Sequence, residues 1–82
     1  MSRLSLLELE QGAGGKIIGF QGGRGLKNKL LARGLRPGKE IKKVSQAFMG
    51  GPVTIKVDHS QVALGHGMAS RVFVEVYEEV KS

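Results

Sequence analysis

The chain has 82 residues, 40% of them hydrophobic, no cysteine and a formal net charge of +6. That bounds it to one domain, residues 1–82, around a single core, and excludes disulfide-stapled and thiolate-metal scaffolds. No apolar run approaches the roughly 20 residues that cross a bilayer, and Met-Ser-Arg-Leu-Ser opens no secretory signal, so a soluble cytoplasmic protein is expected.

In chain order, Ser5-Leu6-Leu7-Glu8 fits a capping box at a short helical turn, which Gly12, Gly14 and Gly15 prevent from extending. Lys16 to Phe20 reads as a first strand, closed by Gly22-Gly23-Arg24-Gly25. From Leu26 the spacing becomes helical, with Leu26, Leu30 and Leu31 on one face and Lys27, Lys29 and Arg33 around the rim. Gly34 suits the left-handed position that ends a helix, and Leu35 the apolar residue that folds back on its last turn. Arg36-Pro37-Gly38-Lys39 has the proline and glycine placement of a type II turn.

Strands follow. Glu40 to Phe48 is apolar at Ile41, Val44 and Phe48, a broken alternation that predicts a bulge or a strongly bent strand. After Gly50-Gly51-Pro52, Val53 to Asp58 alternates with Val53, Ile55 and Val57 inward. His59-Ser60 is a connection, Gln61 to Leu64 a fourth strand, Gly65 to Ala69 a bend or 3₁₀ turn, and Arg71 to Tyr77 a fifth strand. Five short strands between glycine turns predict a mainly β fold, a small closed or nearly closed barrel with one short helix inserted after the first strand. A barrel left incompletely closed could form a homo-oligomer through an edge strand.

Lys16, Arg24, Lys27, Lys29, Arg33, Arg36, Lys39, Lys42 and Lys43 are opposed within residues 16–43 only by Glu40. Nine cations against one carboxylate give a local +8, leaving −2 for the rest of the chain, and point to an anionic partner or a merely solvated basic face. Catalytic constellations are absent: no serine or cysteine is set beside His59 or His66, and Glu8, Glu10, Glu75, Glu78 and Glu79 sit at the chain ends. The glycine loops miss the phosphate-binding spacings, since Ile17 and Asn28 stand where G-x-G-x-x-G needs glycine. The chain therefore reads as a non-enzyme.

Taken together, "LSLLELEQG", "KLLARGLRPGKEI", "GGPVTIKV" and "VALGHGMASRVFVEV" resemble the FeoA family, small cytoplasmic accessory proteins of bacterial ferrous-iron uptake with an SH3-like barrel. The motif residues are Leu30, Gly34, Leu35, Pro37 and Gly38. The resemblance implies a cytoplasmic adaptor, peripheral at the inner face of the membrane, that docks on the FeoB permease and modulates transport. Arg33 departs from the family pattern, which has an apolar residue before the glycine. Lys27, Lys29, Arg33 and Arg36 are the expected docking residues, facing an acidic protein surface or anionic headgroups.

No cofactor is expected. Iron or another divalent transition metal, suggested by the family name, has only Asp58, His59, His66 and Met68 as donors, without an H-x-x-x-H spacing. The alternative is a small basic barrel that binds RNA or DNA. Its aromatic residues, Phe20, Phe48, Phe73 and Tyr77, do not interleave with cations as a single-strand platform requires, and Glu75 lies between Phe73 and Tyr77.

Overall fold

The computed structural model describes residues 2–76. Six antiparallel strands form one sheet: β1 (Ser2–Ser5), β2 (Gly14–Phe20), β3 (Glu40–Gln46), β4 (Val53–Val57), β5 (Ser60–Leu64) and β6 (Val72–Val76). Helix α1 (Arg24–Ala32) follows β2, and α2 (His66–Ala69), a single turn, precedes β6. The strand order is β1-β6-β2-β3-β4-β5. The fold is SH3-like as expected, but the sheet is not closed: β1 and β5 are its two edges.

The expected five strands become six because Ser2–Ser5 pairs with β6, Leu4 opposite Val74. Four residues with one arginine and two serines carry no alternation of their own, and only the partner strand makes them β. The inserted helix thus follows the second strand. The last expected strand ends at Val76, and Tyr77, Glu78 and Glu79 lie outside the described residues.

Turn chemistry matches the local pattern. At Ser5–Glu8 the Glu8 N–H donates to Ser5 Oγ (3.3 Å) and the Ser5 N–H to Glu8 Oε1 (2.9 Å). This reciprocal capping brings Leu6 and Leu9 into the core, both essentially buried. Helix α1 ends with the Gly34 N–H bonded to Leu31 O and the Leu35 N–H to Leu30 O, each at 3.0 Å. With Gly34 at φ +84 and Leu35 fully buried, this is a Schellman motif closed by its hydrophobic contact. The next turn has the Lys39 N–H on Arg36 O (3.1 Å) and Gly38 at φ +95, as a type II turn requires. It is seated on β2, since the Gly38 N–H donates to Ile17 O (2.7 Å) and the Ile17 N–H to Lys39 O (2.8 Å).

The core comprises Leu6, Leu9, Ile17, Leu30, Leu35, Ile41, Val53, Ile55, Val57, Leu64, Ala69, Val72 and Val74. Two inward assignments fail. Leu31 stays exposed and Leu26 only half-buried, so one full leucine, Leu30, anchors α1. Phe48 lies outside β3 at a loop tip, 95% exposed, and Val44 is half-buried. Val44 is the extra residue of the bulge, where register shifts between Lys43 and Ser45, and β3 ends at Gln46, so Phe48 falls in the connection to β4.

Lys43 corrects the charge map. It is 2% exposed, with Nζ donating to Leu9 O (2.6 Å), Leu7 O (3.1 Å) and Gln46 Oε1. Burial pushes its amine below the ordinary 10.5, and the three acceptors offset the cost of desolvating the ammonium. It belongs to the fold and not to a partner-facing surface.

At the far end of β4, Lys39 bonds the Asp58 carboxylate at 2.8 Å. This ties the Pro37-Gly38 corner to the β4–β5 hairpin. The hydrogen bond and then the charge of Lys39 hold the Asp58 carboxyl below its ordinary 3.8.

Lys43→Met retains the stem but leaves Leu7 and Leu9 carbonyls without their donor, so urea unfolding should show a loss of about 1–3 kcal/mol. Gly34→Ala should cost about 1–2 kcal/mol from strain at positive φ, because a Cβ there meets no atom within 4 Å; Gly34→Asn should recover part of it. The depressed Asp58 pKa gives stabilisation that is present above the unfolded-state value and lost as pH falls through the folded one. A carboxyl NMR titration should place the Asp58 midpoint below 3.8, and Lys39→Met should raise it.

Candidate docking surface

The best-supported site is the outer face of α1 and the corner that follows. Its first turn contains no acidic residue, and its N-cap, Gly23, supplies no side-chain bond. Arg24, Lys27 and Lys29 are exposed along the helix, with Arg36 exposed at the start of the type II turn. Cations on one short helix that contains no carboxylate raise the local positive potential and attract carboxylates or phosphates.

Leu31 adds what the sequence reading assigned elsewhere. It is 39% exposed, one helical turn from Lys27. An apolar residue beside cations supplies contact area that desolvates on docking, while the cations steer the encounter. The missed signal was the length of the helix. Nine residues with Leu30 alone fully buried cover a narrow stripe, which two adjacent leucines cannot both occupy.

The four expected docking residues are not equivalent. Lys27, Lys29 and Arg36 are exposed and make no side-chain bond among the described residues. Arg33, at the helix C-cap, donates from Nη1 to Ala63 O at 2.7 Å. That bond holds the end of α1 against edge strand β5, with the guanidinium still exposed. Among the structural motif residues, Leu30 and Leu35 are buried, Gly34 and Gly38 adopt positive φ, and Pro37 is exposed.

The metal donors are separated in character. Asp58 is engaged by Lys39, His59 is the exposed second residue of the β4–β5 turn, and His66 opens α2. Met68 packs on the core. Among the described residues no group of three or more His, Asp or Glu converges as a metal site.

The aromatic residues divide likewise. Phe20 packs on the core, and the Arg3 guanidinium sits 5.1 Å from the centre of the half-buried Phe73 ring. Glu75 lies between Arg3 and Lys16 in the sheet register. Phe48 is the one described aromatic that is fully exposed, fewer than a stacking platform for successive bases needs. No helix among the described residues is long and apolar enough to cross a membrane.

Comparison with known proteins agrees with this architecture. A family model described as "FeoA domain" matches residues 4–76. A crystal structure of an iron uptake regulatory protein, FeoA, is 33% identical with a TM-score of 0.86, covering 93% of this chain and 100% of that one. A FeoA-like protein from Clostridium acetobutylicum is 26% identical with a TM-score of 0.85, covering 100% and 95%. Iron(II) transport protein A from Clostridium thermocellum is 30% identical with a TM-score of 0.82, covering 89% and 45%. No curated protein sequence matches the chain. With nearly all of its described residues inside the matched family model, and with the same fold as FeoA structures over almost its whole length, this chain belongs to the FeoA domain family.

Proposed function

We propose that the chain is a non-enzymatic accessory protein of ferrous-iron uptake that docks on the cytoplasmic domain of a FeoB-type permease and modulates transport. Family membership supports the iron-transport role. The observation that carries the docking surface is α1, a helix with exposed cations Arg24, Lys27 and Lys29, the first two on the same face as an exposed Leu31, and no carboxylate in the element. A complementary partner presents carboxylates around an apolar patch. The protein works in the cytoplasm, peripheral to the inner face of the membrane, where each well-placed Lys or Arg contributes about 1 kcal/mol near anionic lipid.

Arg36 extends this face past the helix. Arg33 stabilises it by fixing the helix end to Ala63, and its outward-facing guanidinium edge meets the same partner.

Pull-down against the permease's cytoplasmic domain should show salt-sensitive binding. Glutamate substitutions at Lys27, Lys29 and Arg36 should weaken it at least about tenfold, mainly through association rate, and Leu31→Ser should weaken it without comparable salt dependence. Undiminished binding by the charge-reversed protein would refute this surface. A steep, salt-sensitive shift of generic RNA by the wild type, with none of the permease domain bound, would move the assignment to the nucleic-acid alternative.

A further inference from the structure

The connection between β3 and β4 ends in the least expected surface of the molecule. Phe48 is 95% exposed and Met49 fully exposed, side by side at the hairpin tip. The tip is a closed turn: the Ala47 N–H donates to Pro52 O (3.0 Å) and the Gly51 N–H to Phe48 O (3.2 Å). Met49 is held at φ +59, a left-handed conformation that a methionine rarely adopts. The two apolar side chains are thus presented outward by a defined backbone.

Charge around the tip is one-sided. Residues 41–57, the whole hairpin beyond Glu40, contain no Asp or Glu. The nearest carboxylate along the strands, Asp58, is at the opposite end of β4 and is bonded to Lys39. At the tip end, Ala63 pairs with Thr54, two residues from Pro52, and Ala63 O carries the Arg33 guanidinium. His66 stands nearby, its Nδ1 4.0 Å from where a Cβ on Gly50 would lie.

We infer that this end of the sheet is an interfacial anchor for an anionic membrane, in which Phe48 and Met49 enter the headgroup–acyl boundary and Arg33 meets lipid phosphate. The shape favours lipid over a protein pocket: a convex pair needs a preformed cavity in a protein but only displaced headgroups in a bilayer. Residues 41–57 bring no carboxylate into the boundary, and the molecule's net charge of +6 is complementary to anionic lipid. Insertion is confined to side chains, since the backbone at the tip requires polar surroundings. This anchor shares only Arg33 with the α1 face and does not depend on the permease reading.

The chain contains no tryptophan, so Phe48→Trp gives a single emission reporter. Pure lipid vesicles separate the inference from permease docking. With phosphatidylcholine–phosphatidylglycerol vesicles at low salt, wild-type protein should co-sediment and the Phe48→Trp emission should shift to the blue. Phe48→Ser/Met49→Ser, with an unchanged thermal midpoint, should bind at least about tenfold more weakly. Arg33→Gln should reduce binding to these vesicles more than to phosphatidylcholine alone. Absence of vesicle binding, undiminished binding by the double variant, or unmoved emission overturns the anchor. So does a blue shift produced by raised protein concentration alone, which would assign the tip to a second copy, or one produced only by the permease domain, which would assign it to a protein pocket.

Discussion

The buried ammonium of Lys43 is the contact on which the packing of this small sheet depends. A chain of this size has little hydrophobic surface to spare, and its open sheet leaves one flank of the core to be covered by irregular backbone. The segment after β1 does that, placing Leu6 and Leu9 among the core residues. Its carbonyls at Leu7 and Leu9 face inward and need donors, which a single flexible amine supplies. An aliphatic residue in its place fills the volume but leaves those oxygens unpaired. A carboxylate would repel them.

From β3 the same logic runs back to the helix. The Schellman bonds end α1, Leu35 enters the core, and the Arg36–Lys39 turn is hydrogen-bonded on both sides of Ile17. Because these constraints are backbone bonds, the side chains of the corner are released from structural duty and project outward. Lys39 is the exception, tied to Asp58. A cationic surface arises here because the fold needs the turn and leaves the choice of outward side chains open.

The turns were legible in the sequence because their chemistry is local. Ser5 to Glu8, Gly34-Leu35 and Pro37-Gly38 carry both the donor and the conformational preference within a few residues. What could not be read depends on partners distant along the chain. Ser2–Ser5 becomes β only against β6, and the open sheet follows from which strands fail to meet. Lys43 looked like one more cation in a basic run. Its inward turn depends on carbonyls more than thirty positions away. A bulge or bend within Glu40 to Phe48 was anticipated, yet the end of β3 at Gln46 was not. Phe48 lies past that end, in the connection to β4, where no face of the sheet takes it inward.

Arg33 shows how one side chain serves both fold and surface. Its place before Gly34 puts it at the C-cap of α1, from which the guanidinium spans to a carbonyl of edge strand β5. An unpaired edge invites strand addition, and an arginine on an outward carbonyl discourages it. An apolar residue at this position would leave Ala63 O free to accept from another strand. Arg33 also leaves hydrogen-bonding capacity, since one bond uses one of five donors. The remaining N–H groups stay available to carboxylate or phosphate, so protecting the edge and meeting an anionic surface are compatible roles for the same residue.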